Sequence, residues 1–193
     1  MSSYEQPEST THRGIIAALR IIGSIALVVA LFVLLRTFVF QAYAIPSGSM
    51  EQTIMTGDMV FSEKISYHFG DPQQGDIITF EDPEIPSRIL IKRVIATEGQ
   101  TVDLQNGHVV VDGEVLNESY TNGLPSYPLN TAPGVIINYP YTLGEGELWV
   151  MGDNRTNSAD SRYFGPIQTS AITGKAFFTY WPLTSIGLLG NGQ

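Results

Sequence analysis

The chain has no cysteine. Disulfides, thiolate catalysis and cysteine-ligated zinc are therefore excluded. Histidine is scarce: His12, His68 and His108 stand far apart without ligand spacing, so no metal and no cofactor is expected. Positive charge is scarce too. Three lysines (Lys64, Lys92, Lys175) and seven arginines face 19 acidic residues, for a formal net charge of −9. No basic stripe forms, which argues against a nucleic-acid partner. Beyond residue 45 there is no sustained helical periodicity, and nowhere is there an internal repeat.

What is present begins with one long apolar run. Residues 1–13 are polar and read as disordered; GIIAALRIIGSIALVVALFVLLRTFVF (14–40) follows. Ile21–Phe40 gives twenty residues, about 30 Å as helix, the thickness of a bilayer core. Arg36 is placed to snorkel toward the headgroups. The run ends in Ala42-Tyr43-Ala44, an A-x-A pattern of the kind cut in secretory signal peptides. An uncleaved anchor is nevertheless the expectation, because the run exceeds an ordinary signal-peptide core and Arg36 interrupts it before the A-x-A. Arg13 and Arg20 precede the apolar centre and only Arg36 follows it. That asymmetry favours a cytoplasmic N-terminus with residues 41–193 outside the cytoplasm.

Residues 41–193 read as β. About 150 residues suffice for one self-sufficient core. Short β-branched and aromatic runs alternate with Gly, Pro, Asn and Asp. Strands are expected at Met59–Lys64, Asp76–Phe80, Ile89–Ala96, Thr101–Leu104, His108–Val111, Glu114–Leu116, Val135–Tyr139, Leu148–Met151 and Gly174–Tyr180. Asp112-Gly113 signals a tight hairpin. Residues 117–134, rich in Gly, Pro, Asn and Ser, read as an irregular excursion. The pattern points to an antiparallel sheet-on-sheet or barrel-like domain.

Two features suggest chemistry. In RILIKRVIA (88–96) a strand puts Leu90, Lys92, Val94 and Ala96 on one face, so Lys92 interrupts an apolar surface. It is either an edge lysine whose ammonium reaches water or a desolvated amine whose lowered pKa suits a general base. In IPSGSM (45–50) a serine is presented after a proline turn. A serine hydroxyl needs an activating base. No histidine here has a supporting motif, and a neutral lysine is the alternative activator. Neither S-x-x-K around Ser49 nor G-x-S-x-G is present.

Three segments together resemble the bacterial type I signal peptidases: IPSGSM with GDMVFSEK (57–64); GDIITF (75–80) with ILIKRVI (89–95); and MGDNRTNSADSRYFGPI (151–167) with GKAFFTYWPL (174–183). The resemblance spans nearly the whole domain after the anchor. It implies a mainly β fold: an antiparallel β catalytic domain with a small β extension, about residues 104–145, behind one transmembrane helix. It implies a membrane-anchored serine endopeptidase that cuts signal peptides after Ala-x-Ala. Ser49 would be the nucleophile and Lys92 the general base. The Ser47 hydroxyl and the Ser49 N–H would form the oxyanion hole. Ser158 would orient the Lys92 amine, Asp160 and Arg162 would brace their segment, and Gly152 and Asp153 would shape its turn. Ile45, Met50, Ile54, Leu90 and Ile91 would line shallow substrate pockets. The partners would be signal peptides and the bilayer.

A carboxylate left unpaired beside Lys92 would oppose its neutralisation, so Asp160 is expected on an arginine, Arg162 or Arg93. Gln52 departs from the family pattern, which commonly has proline there, and so does the turn Ala96–Gln100. Taken singly, GDNR is an ordinary turn signal, Ser158 a surface hydroxyl and Asp160–Arg162 a structural ion pair. The competing reading is a membrane-anchored β-module that binds an envelope partner and catalyses nothing.

Overall fold

The computed structural model describes residues 8–190. The chain divides after Val39 into two units. The first is a single helix, α1 (Glu8–Phe38). Its stretch Arg13–Thr37, 25 residues long and apolar enough to cross a membrane, measures about 37 Å at 1.5 Å per residue. Residues 8–13, expected to be disordered, are already helical: no proline lies between Glu8 and Gly14 to stop the anchor helix extending upstream. Residues 1–7 of that expectation lie outside the described residues. The helix stops at Phe38 rather than residue 40, because Phe40 opens a strand with a partner of its own.

The second unit is built from twelve strands and two one-turn helices. In chain order they are β1 (Phe40–Ala44), β2 (Met59–Glu63), α2 (Ser66–Phe69), β3 (Ile77–Glu81), β4 (Ile89–Ala96), β5 (Thr101–Gln105), β6 (His108–Val111), β7 (Glu114–Val115), β8 (Tyr141–Thr142), β9 (Glu147–Met151), α3 (Ser161–Phe164), β10 (Ile167–Gln168), β11 (Ile172–Trp181) and β12 (Gly187–Leu188). Expected strands match these within two residues, with one exception. Val135–Tyr139 forms no strand. Pro133-Gly134 and Pro140 bracket it, and Ile137 and Tyr139 insert into a hydrophobic cluster instead of joining a ladder.

All pairings are antiparallel. The large sheet runs β1-β2-β11-β3-β4-β9-β10, with β12 also on β11, and the small one runs β7-β6-β5-β8. The small sheet and the excursion within it correspond to the expected extension, shifted a few residues toward the N-terminus. Its side chains Val102, Val109 and Val111 pack with Ile95, Ala96, Trp149 and Met151 of the large sheet. Adjacent Ile95 and Ala96 join one cluster because the β4–β9 register slips between Val94 and Ala96. A second cluster joins Ile78, Phe80, Val94, Val150 and Phe164. A third, of Ile45, Met50, Ile54, Val60, Ile77 and Ala176, lies under the turn that carries Ser49.

Gly174 on β11 is where two strands close tightly: a Cβ there would meet Glu63 O at 2.5 Å and Ser62 Oγ at 2.6 Å. Gly174→Ala should therefore destabilise the domain by about 1–3 kcal/mol in denaturant unfolding. Gly187→Ala, with nothing within 4 Å of its new Cβ, should stay within about 0.5 kcal/mol of the parent.

Candidate active site

Ser49 sits on a turn fastened from below and from the side. Ser47 is extended (φ −133°, ψ 153°) and exposed, and Gly48–Met50 form one 3-10 turn. Met50 and Ile54 are 0% exposed and peg the turn into the core. From the side, the Asn154 N–H donates to Ser49 O at 3.1 Å, and Asn154 Nδ2 donates to Gly48 O at 3.0 Å. The first N–H groups of such a turn have no partner inside it.

Lys92 comes to Ser49 from β4, an interior strand between β3 and β9. That position rules out the edge-lysine reading: Lys92 is 3% exposed and Ser49 8%. Lys92 Nζ lies 2.7 Å from Ser49 Oγ, in hydrogen-bond contact, and donates to Ile91 O at 3.0 Å. Burial pulls its pKa down to about 8, against the fields of Asp160, Asp153 and Asp82, which raise it. An amine with that pKa beside a serine hydroxyl can accept the hydroxyl's proton near neutral pH.

The two carboxylates whose fields act most strongly on Lys92 are each claimed by an arginine. Asp160 takes Arg162 Nε and Nη2, both at 2.9 Å, and the Gly152 N–H at 3.1 Å. Burial alone would raise the Asp160 pKa, but the hydrogen bonds and charge of Arg162 hold it below the usual carboxylate value. The expected partnering of Asp160 with an arginine is what the structure has. Asp153 takes Arg93 Nε at 2.9 Å and Nη2 at 2.7 Å, and accepts from Thr53 Oγ1. Arg93 follows Lys92 on β4, so its side chain leaves the opposite face.

Gly152 is required by space: a Cβ there would run into Ser158 Oγ and Ser49 O. Ser158, expected to hold the Lys92 amine, does not. Its Oγ is shielded from solvent and interacts with Asp160, whose carboxyl it helps hold below the usual range, while Lys92 Nζ is occupied by Ser49 Oγ and Ile91 O. The expected pocket residues fall into two groups. Ile45, Met50 and Ile54 are buried and belong to the core beneath the site; an apolar pattern shows that a side chain seeks burial, not which surface it lines. Leu90 and Ile91 are half-buried on β4 beside Lys92.

Sequence reasoning passed over Asn154, treated as turn closure, and Arg155. Arg155 Nε donates to Gly152 O at 2.9 Å, its Nη groups reach Glu118 at 2.6 and 2.8 Å, and its carbonyl accepts from Arg162 Nη2 at 2.8 Å. Gln52, the departure from the family pattern noted in the sequence, stands at φ 98°, an angle the proline ring forbids.

Residues 18–181 match the family model described as signal peptidase, peptidase S26. The chain is 44% identical over 174 residues to the probable signal peptidase I-1 of Synechocystis sp., covering 86% of this chain and 83% of that one. It is 39% identical to signal peptidase I of Leptolyngbya laminosa, over 88% and 82% of the two chains. It is 32% identical to thylakoidal processing peptidase 1, chloroplastic, of Arabidopsis thaliana, over 82% of this chain and 47% of that protein.

The depressed Lys92 pKa has a measurable consequence for stability. Between about pH 8 and 10 the unfolded chain, with a lysine near 10.5, binds more protons than the folded one, so Lys92 makes stability rise with pH there. Lys92→Met should remove that rise from denaturant midpoints. Arg162→Met should narrow it, because an unpaired Asp160 carboxylate favours the ammonium and moves the folded pKa back up.

Proposed function

Since the chain belongs to the signal peptidase family, peptidase S26, and removes signal peptides from exported proteins, we propose that Ser49 is its nucleophile and Lys92 its general base. The observation that carries this is the 2.7 Å contact between Lys92 Nζ and Ser49 Oγ inside a buried site. Neutral Lys92 takes the Ser49 proton as Oγ attacks the carbonyl carbon after the last residue of the signal peptide. The resulting oxyanion is held by the Ser49 N–H and the Ser47 hydroxyl, which a rotation of the exposed Ser47 side chain brings in. Collapse breaks the peptide bond, Lys92 returns the proton to the leaving amine, and an ester remains on Ser49. Lys92 then deprotonates a water that attacks this ester, releasing the carboxylic acid and restoring Ser49.

The substrate reading is an extended Ala-x-Ala segment beside Leu90 and Ile91, with small side chains fitting shallow apolar depressions. Arg93 and Arg162, each paired with its aspartate, offset part of the negative field that Asp153 and Asp160 place on the amine. Ser158 is left as a polar group that rotation of the Lys92 amine can engage. The protein is membrane-anchored, and α1 has the length for the role. Residues 41–193 are placed outside the cytoplasm, at the cell membrane, on the charge asymmetry around the apolar centre.

Full-length protein in detergent, assayed on a peptide with an Ala-x-Ala site, tests these roles. Ser49→Ala should abolish cleavage without unfolding. Lys92→Arg should be inactive, since a guanidinium cannot deprotonate. Ser47→Ala should lose about 10²–10³-fold in kcat, the scale of one oxyanion donor. Cleavage by Lys92→Arg would remove Lys92 as the base.

The A-x-A motif of the chain itself should survive. Ala42, Tyr43 and Ala44 pair with Phe61, Val60 and Met59 of β2, so cutting after Ala44 requires β1 to peel from the sheet. Intact mass of membrane-extracted protein should show α1 retained. A dominant species starting at Ile45 would show that the chain is processed as a substrate.

A further inference from the structure

The irregular stretch 117–126, part of the β extension, does not merely fill the surface between β7 and β8. Four of its side chains reach the three segments that frame Ser49 and Lys92: the turn after Ser49, β4, and residues 152–155. Glu118 takes both Nη groups of Arg155, at 2.6 and 2.8 Å. Ser126 Oγ accepts from Arg155 Nη1 at 2.8 Å. The Tyr120 ring lies 4.0 Å from the Arg93 guanidinium carbon and 5.8 Å from that of Arg155, and its hydroxyl donates to Glu118 Oε1 at 3.0 Å. Asn122 Nδ2 donates to Gln52 Oε1 at 3.5 Å.

These contacts land beside the reacting groups. Arg93 adjoins Lys92 and holds Asp153. Arg155 adjoins Asn154, whose N–H and amide fix the carbonyls of Ser49 and Gly48. Gln52, three residues past Ser49, carries a left-handed backbone that costs on the order of 1–3 kcal/mol in a non-glycine residue and persists only where its surroundings impose it. The Arg155 and Glu118 side chains are 0% and 9% exposed. Removing the carboxylate would leave a buried guanidinium uncompensated, free to pull Gly152 O, and with it the turn 152–155, out of place.

We propose that Glu118 and Tyr120 are positioning residues for the reaction: through Arg155 and Arg93 they hold the Gly152–Arg155 turn, and hence the Ser49 carbonyl and the line from Ser49 Oγ to Lys92 Nζ, in reactive geometry. The proposal rests on the reading that Ser49 and Lys92 react. It makes the extension a working part of the site.

The test measures kcat and KM of the full chain in detergent on an Ala-x-Ala peptide, with kcat corrected for the folded fraction from unfolding curves at the assay temperature. Glu118→Gln, nearly the same in volume, and Tyr120→Ala should each lower corrected kcat at least about tenfold with KM within about twofold, because small misplacements cost reaction rate more than binding. Tyr120→Phe, which keeps the ring on Arg93, should return kcat to within about threefold of the parent. Corrected kcat within about twofold of the parent in both Glu118→Gln and Tyr120→Ala would overturn the proposal, as would a loss fully accounted for by the unfolded fraction. Ser49→Ala run alongside separates the levels: residual cleavage there would defeat the nucleophile assignment beneath the proposal, whereas an inactive Ser49→Ala with unaffected Glu118 and Tyr120 variants defeats the proposal alone.

Discussion

An amine must lose its charge in a site that also contains aspartates, and the rest of the site follows from that conflict. From an ordinary value of 10.5, the Lys92 pKa comes down to about 8, which lowers the cost of the neutral form at pH 7 by about 3 kcal/mol. Burial on an interior strand supplies the shift. Carboxylates within the same core would undo it, and three of them push the other way. The site answers with arginine. Arg162 takes Asp160 and Arg93 takes Asp153, each through two nitrogens. Guanidinium stays charged at every working pH and matches a carboxylate's two oxygens, so each aspartate's field at Lys92 is offset in part by a fixed positive charge.

The same carboxylates and arginines also set geometry. Asp160 accepts the Gly152 N–H, Arg155 donates to Gly152 O, and Asn154 binds the carbonyls of Gly48 and Ser49. One short segment thus fixes both the field at Lys92 and the backbone that carries Ser49. Gly152 has no side chain because the Ser49 carbonyl and Ser158 crowd the place where a Cβ would go. With Lys92 on an interior strand and the field around it built from buried ion pairs, the proposed chemistry needs no histidine.

Sequence alone reached the Ser49–Lys92 pair, which the fold brings into contact, because its signals are local. Period-two alternation located β4 and showed a lysine on an apolar face, and the serine turn stands in one short motif. What escaped was long-range or too short to have a period. Glu118 and Arg155 are 37 positions apart, and Glu118 lies in a stretch whose composition says only loop. β8, β10 and β12 have two residues each, below any alternation. Val135–Tyr139 carries a strand-like composition but serves as a plug. Met50 and Ile54 showed their need for burial without showing that they support the turn from within. Gln52 marked an unusual place in the chain, and its left-handed backbone supplies the physical reason.

The claim that a neutral Lys92 activates Ser49 is tested most directly by the pH dependence of kcat/KM on an Ala-x-Ala peptide, which reports the base in the free enzyme. The account predicts an acidic limb that climbs about tenfold per pH unit and levels at a pKa of about 8. A limb at about 6.5, the ordinary value for histidine, or a flat profile from about pH 6 to 9, would contradict it.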